Sequence, residues 1–212
     1  MDNPVIIFGA NGVGKVALEI FKSHGVVVYG FLDDNEELHK KEIDDVIVLG
    51  KSDDHGFLKL IGHKCEAYVA TDDNSTRKEW TEMLIKSRKT MPVNAIHSHA
   101  LIAESSAIGH GNLLNTGVSL GANSKIGNHC LVHTGVAVDY DAEVGDYVQI
   151  GAGSVIGAGA LIEEEVFIGS GAVIVPGVKV GARARIGAGS VVVRDVDADD
   201  TLFGNPAQSV EN

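Results

Sequence analysis

The chain has 212 residues, 44% hydrophobic and 22% charged, which is ordinary for a folded protein and too apolar for a disordered one. Its formal charge of −12 argues against general binding to nucleic acid or an anionic membrane, since both need a cationic surface. No apolar run approaches the roughly 18 residues of a membrane span. Two cysteines without paired spacing, Cys65 and Cys130, supply neither a disulfide framework nor a metal motif, so both are expected to be packing residues with no metal bound.

In chain order, the opening MDNPVIIFGANG enters a glycine turn too early for a signal peptide, and a cytoplasmic location is expected. The apolar runs PVIIFGA, VVVYGFLDD, VIVLG, AYVATDD and PVNAIH read as strands. Residues 13–24 and 75–88 carry helical spacing, the second with a Ser/Thr cap offered by NSTRKE. Alternating strands and helices predict a small Rossmann-like α/β domain with a parallel sheet over residues 1–98. Its GANGVGKV follows a strand and opens a helix, so its amides can face a phosphate at the positive end of the helix. A P-loop would need Ser or Thr where Val16 stands. Gly9, Gly12 and Gly14 with Asp33 fit a dinucleotide pattern. The domain has room for about half of that fold, so a mononucleotide diphosphate suits it better. A plain glycine turn without ligand stays open beside this reading.

After residue 100 the period becomes six. From Ile102 to Val192 every sixth residue is aliphatic, sixteen in succession, and the next residue is usually glycine, which we expect to serve the turn dihedrals. An amphipathic helix is excluded, because six matches neither 3.6 nor 7 and glycine destabilises helices. The pattern predicts an all-β domain over residues 99–212, a left-handed parallel β-helix with three hexads per coil and a little over five coils.

Residues eighteen apart then stack on one corner. One column, Thr116, Thr134, Ala152, Ser170, Ala188, is slim throughout and leaves room for a thin ligand along exposed backbone. A second, His110, Asn128, Asp146, Glu164, Ala182, reads as a solvated edge without chemistry. A third, Ala122, Tyr140, Ala158, Pro176, presents one large side chain between small ones. Lys179, Arg183, Arg185 and Arg194 cluster in the C-terminal coils of an otherwise acidic chain and are candidates for contacts to phosphates.

GANGVG at 9–14, FLDD at 31–34, NSTRKE at 74–79, TGVAVDYD at 134–141 and FGNPA at 203–207 together make the chain similar to bacterial nucleotide-sugar acetyltransferases. These include enzymes that N-acetylate UDP- or GDP-linked amino sugars and sialic-acid O-acetyltransferase relatives. The resemblance implies a homotrimer that transfers acetyl from acetyl-CoA, its co-substrate, to the amine of a nucleotide-linked amino sugar in the synthesis of cell-surface glycan precursors. It also implies Asn11, Gly12 and Val13 at the phosphates or sugar, Asp33, Asp34 and Thr71 around the rest of the nucleotide, and Gln149, Ser170 and Ala188 at the CoA.

Where the resembled family has its catalytic histidine, this sequence has Tyr140, followed by Asp141 where the family has the acidic residue that orients the base. His133 stands where the family tends to have an asparagine that reaches the acceptor sugar. A free imidazole titrates near about 6.5 and a phenol near about 10, so tyrosine is the poorer base at neutral pH. Three readings follow: His133 supplies the base across a subunit interface with Tyr140 as donor or sugar contact, transfer proceeds by positioning and electrostatics alone, or the trimer binds nucleotide sugar without catalysis. O-acetylation of a hydroxyl is the alternative reaction.

Overall fold

The computed structural model describes residues 3–210, and the chain divides into two compact units, Met1–Ser98 and His99–Asn212.

The first unit is a five-stranded sheet with helices α1 (Gly12–Ser23), α2 (His55–Leu58) and α3 (Asn74–Arg88). Strands β1 (Val5–Phe8), β2 (Val28–Leu32), β4 (Val46–Gly50) and β5 (Glu66–Val69) run parallel, and β3 (Glu42–Ile43) pairs antiparallel with β4 at one edge, giving the order β3-β4-β2-β1-β5. All of β1 is buried, which explains its unbroken apolar run. On one face of the sheet Ile6, Phe8, Leu32, Ala67 and Val69 pack with Trp80 and Leu84 of helix α3 (Asn74–Arg88). On the other, helix α1 (Gly12–Ser23) buries Ala17, Leu18 and Phe21, with Phe21 edge-on to Tyr68 at 5.7 Å. The expected Ser/Thr cap of α3 is instead Asp73, whose Oδ1 accepts from the Thr76 amide at 2.7 Å. A carboxylate at that place also interacts favourably with the positive helix end. PVNAIH contributes only the two-residue strand Ala95–Ile96, which stays outside this sheet.

The second unit is a left-handed parallel β-helix of two-residue strands. Face 1 stacks Leu101–Ile102, Ser119–Leu120, Ala137–Val138, Val155–Ile156, Val173–Ile174 and Val191–Val192. Face 2 stacks Ala107–Ile108, Lys125–Ile126, Glu143–Val144, Leu161–Ile162 and Lys179–Val180. Face 3 stacks Leu113–Leu114, Leu131–Val132, Gln149–Ile150, Phe167–Ile168 and Arg185–Ile186, then Thr201–Gly204, which turns back antiparallel into Ala207–Ser209. Partners lie eighteen residues apart, as Leu120↔Val138 and Ile150↔Ile168 show. The sixth-residue aliphatics fill the interior, and from Leu114 to Val192 all are buried. Ile102 is 38% exposed because face 1 begins with its strand. Asn112, a polar residue in the interior, bonds to backbone, donating to the Gly127 carbonyl at 2.9 Å and accepting from the Cys130 amide at 2.7 Å.

Where glycine follows the aliphatic, it has a different reason from the one expected. Gly145, Gly151 and Gly169 are not in the left-handed region; a Cβ there would meet the next coil's backbone, at 2.8 Å from Glu164 N, 2.4 Å from Ser170 N and 2.5 Å from Ala188 N. At these three positions the next coil's backbone lies directly against the glycine. The left-handed backbone sits two residues further on.

Candidate functional site

That left-handed position recurs at all three corners, and the residues that fill it differ. Between faces 2 and 3 it holds Gly111, His129, Tyr147, Glu165 and Arg183. Between faces 1 and 2 it holds Asn123, Asp141, Gly159 and Gly177. Between faces 3 and 1 it is glycine every time: Gly117, Gly135, Gly153, Gly171 and Gly189, with φ from 68° to 72°. The turn itself does not demand glycine, since non-glycine residues adopt it elsewhere in the same coil at a cost of about 1–2 kcal/mol each. A Cβ on Gly135, Gly153, Gly171 or Gly189 would meet nothing within 4 Å. The 3/1 corner is therefore bare outward over several coils without any internal reason.

The slim column runs along this bare corner. Carbonyls of Thr116, Thr134, Ala152 and Ser170 accept from Gly135, Gly153, Gly171 and Gly189 at 2.9 Å, tying each coil to the next. Ser170 and Ala188 are exposed on it, while Gln149 lies on adjoining face 3 and is buried. These three are brought to one side of the prism, and the residues fit a thin, amide-bearing arm laid along the corner.

Tyr140 projects from the 1/2 corner, 56% exposed, with its amide bonded to Asp139 Oδ1 at 2.8 Å. Asp141 takes the left-handed position at φ 56°, and its Oδ1 accepts from Asn123 Nδ2 at 3.2 Å, so its carboxylate is tied to the coil before it. His133 is half-buried at the start of the 3/1 corner, its amide bonded to the Ile150 carbonyl at 3.0 Å. Within one chain the strand Ala137–Val138 separates His133 from Tyr140, and the two stand on different corners.

The second column, read above as a solvated edge, borders an open groove. A groove of about 710 Å³ runs along face 2 toward the 2/3 corner, lined by Lys125, Asn128, Glu143, Asp146, Glu163 and Glu164 among others. Its carboxylates repel phosphates, so the larger volume is the wrong chemistry for a coenzyme. The four C-terminal cations also separate. Lys179 pairs with Glu163 at 2.7 Å and Arg183 with Asp199 at 2.7 Å, and the Lys179 hydrogen bond holds the Glu163 carboxyl below its usual range. Arg185 and Arg194 lie elsewhere, on face 3 and at the 1/2 corner.

In the first unit the glycine loop takes three separate roles. A Cβ on Gly9 would come 2.3 Å from the Ala70 carbonyl oxygen and one on Gly14 would come 2.1 Å from that of Gly9, so both glycines serve packing. Gly12 is exposed, and a Cβ there would meet nothing within 4 Å, leaving its backbone open to approach. Asn11 caps α1 itself: its Oδ1 accepts from the amides of Val13 at 3.0 Å and Gly14 at 3.3 Å, two donors a phosphate would otherwise use. Val13 turns its side chain inward. Asp33 is half-buried and fastens the loop to the end of β2, accepting from the Ala10 amide at 2.7 Å and the Asn35 amide at 2.9 Å. Asp34 accepts from the Ser52 amide at 2.9 Å and lines a cavity of about 250 Å³ with Lys51, Ser52, Asp53, Glu79, Trp80 and Met83. Thr71 is buried; its Oγ1 accepts from the Asp73 amide at 3.2 Å, and its carbonyl accepts from Arg77 Nη1 at 2.7 Å. Arg77, fully buried, also donates to Asn74 Oδ1, so this guanidinium holds the loop between β5 and α3. Sequence reasoning missed Arg77, because nothing in its spacing shows that it turns inward.

A three-faced hexapeptide coil with one bare corner defines an acyltransferase of the hexapeptide-repeat class. Residues 4–84 match the PglD N-terminal domain model, and residues 123–158 and 159–194 match the bacterial transferase hexapeptide (six repeats) model. The chain is 30% identical to a histidine-to-alanine variant of GDP-perosamine N-acetyltransferase from Caulobacter crescentus, solved with CoA and GDP-perosamine. That match has a TM-score of 0.91 and covers 100% of this chain and 99% of the other. PerB of the same organism, in complex with the same two ligands, is 31% identical with a TM-score of 0.88, over 100% and 99% of the two chains. The acetyltransferase domain of PglB from Neisseria gonorrhoeae FA1090, solved with acetyl coenzyme A, is 26% identical with a TM-score of 0.88, over 99% and 100%. No curated protein matches the chain. The chain belongs to the nucleotide-sugar acetyltransferase family of hexapeptide-repeat proteins.

Proposed function

We propose that the protein transfers acetyl from acetyl-CoA to the amino group of a nucleotide-linked amino sugar, a GDP-linked one first, in the making of glycan precursors. The carrying observation is the 3/1 corner, where glycine occupies every left-handed turn although the fold accepts side chains at that turn elsewhere. The relative solved with CoA and GDP-perosamine supports the two ligand classes. The first unit is the nucleotide-sugar domain in this reading, with Gly12 and Asp34 as the groups left available and Asn11, Val13, Asp33 and Thr71 shaping the loops around them.

When bound, acetyl-CoA supplies a thioester carbonyl that an amine nitrogen can attack, with loss of the CoA thiol. The bare corner, with Ser170, Ala188 and nearby Gln149, holds the coenzyme in line. His133 takes the proton that the sugar ammonium must lose, and Tyr140 donates a hydrogen bond to sugar or thioester. Because these two occupy different corners of one chain, the site is completed by a second copy. Face 1 supports that contact. Its outward residues Leu101, Ser119, Ala137, Val155, Val173 and Val191 are uncharged, and it lies between the two corners concerned. A closed homotrimer brings the 3/1 corner of one subunit to the 1/2 corner of the next. The buried thiols of Cys65 and Cys130 suit a cytoplasmic setting.

A thiol-release assay with acetyl-CoA over a panel of GDP- and UDP-linked amino sugars tests the reading, with product mass and base-stability distinguishing amide from ester. Thiol release that depends on an amino sugar is expected. Tight binding of both ligands without any turnover would replace this reading with a non-catalytic trimer.

A further inference from the structure

Asn11 and Gly12 form the chain's one Asn-Gly pair, and both residues are exposed. In such a pair the backbone nitrogen of the glycine can attack the amide carbon of the asparagine side chain, because glycine has no Cβ to obstruct the approach. A Cβ on Gly12 would meet nothing within 4 Å, so the surrounding loop does not obstruct it either. Closing the five-membered ring needs Cβ of Asn11 and the Gly12 nitrogen nearly eclipsed about the Cα–C bond, which for an L-residue means ψ of about −120°. Asn11 stands at ψ −162°, whereas a strand residue at about +135° is more than twice as far from closure. Asn11 Oδ1 accepts from the Val13 amide at 3.0 Å and the Gly14 amide at 3.3 Å, so the oxygen on which charge gathers as the ring closes already has two donors aimed at it. The Gly12 amide has no acceptor among the described residues and lies at the positive end of α1, which favours the nitrogen anion that attacks. Other asparagines lack this setting. Asn3 and Asn205 precede prolines, which have no N–H to lose, and Asn123 precedes the buried Ser124.

We propose that Asn11 is a site of deamidation, and that the change turns the glycine loop against a phosphate. The Gly12 nitrogen gives its proton to base and bonds to Cγ of Asn11; the bond from Cγ to the side-chain nitrogen breaks, and ammonia leaves behind a succinimide. Water then opens that ring at either carbonyl, giving aspartate or, with the chain routed through the side chain, isoaspartate. The net exchange is one water taken up for one ammonia released. Either product places a carboxylate at the start of α1. Aspartate still accepts from the two cap amides and interacts favourably with the positive helix end, so the fold does not oppose the change. A phosphate approaching the same loop is repelled. This consequence rests on the nucleotide-sugar reading; the modification does not.

The test incubates the folded full chain at mildly alkaline pH and follows its tryptic peptide 1–15 by mass, beside a synthetic peptide of the same sequence treated alike. Asn11 in the folded chain is expected to gain the mass of an amide-to-acid exchange at least as fast as in the free peptide, with isoaspartate among the products. Gly12→Ala should slow the exchange about tenfold or more, since a Cβ then obstructs the attack. Slower exchange in the folded chain than in the peptide, or no slowing in Gly12→Ala, would overturn the proposal. For the consequence, Asn11→Asp is expected to bind GDP about fivefold or more weakly than the parent while its CoA affinity holds. Equal GDP affinity would overturn the effect on the loop. A parent chain that binds neither GDP nor a GDP-linked amino sugar would overturn the nucleotide-sugar reading and leave the modification, read by mass, in place.

Discussion

At the scale of single residues, the proposed site has a tyrosine at position 140, and a tyrosine side chain is a poor general base for an amine nucleophile. Tyr140 is 56% exposed and its neighbour Asp141 is engaged by Asn123, so the Asp141 carboxylate already has a task in joining coils. His133→Asn is expected to lower acetyl transfer by roughly 10²-fold or more, the scale of a lost general base, with little change in the binding of either ligand. Single-turnover kinetics alongside calorimetry would separate the two effects. Tyr140→His should keep or raise the rate, and a wild-type rate for His133→Asn would exclude that residue as the base. The same scale covers Asp73. Its carboxyl is held below the ordinary 3.8 by the hydrogen bond with Thr76. A depressed folded-state value means the contribution is present above that ordinary value and lost as the pH falls below it. Asp73→Ala should therefore cost about 1 kcal/mol at neutral pH and little in acid, as chemical denaturation at the two pH values would show.

At the scale of elements, the corners of the coil behave as three alternatives for one backbone conformation. Left-handed φ is held by glycine on one corner and by His129, Tyr147, Glu165 and Arg183 on another. His129 is buried, its ring 5.0 Å from that of Tyr147, which shows what a side chain at this position does when it has neighbours to pack on. Gly153→Asn should fold, because asparagine tolerates the left-handed region, with a loss of about 1 kcal/mol. It should nevertheless weaken CoA binding severalfold by filling the bare corner. Tyr147→Gly, on the far corner, should bind CoA unchanged. Equal CoA affinity for the parent and Gly153→Asn would remove the corner from the binding site.

At the scale of the whole molecule, sedimentation at micromolar concentration is expected to show three chains per particle, and a monomer would contradict a site built from two corners. Mixing inactive His133→Asn with inactive Tyr140→Ala chains should restore activity only if the two residues act across subunits. Much of the architecture was already written in the sequence. Sixteen aliphatics at a spacing of six admit one arrangement, because that period suits three short strands per coil and no helix. The apolar run of β1 and the spacing of α1 likewise follow from local periodicity. Side-chain partners were a different matter, since they depend on which residues the fold brings together from far apart. Only the folded backbone shows that Gly151 is required by Ser170, that Asp33 is committed to the Ala10 amide, that Arg77 turns inward, and that Lys179 and Arg183 are neutralised while Arg185 and Arg194 are not. Periodicity reports how each residue faces its own element. Electrostatic and steric commitments arise between elements, and tertiary structure alone decides them.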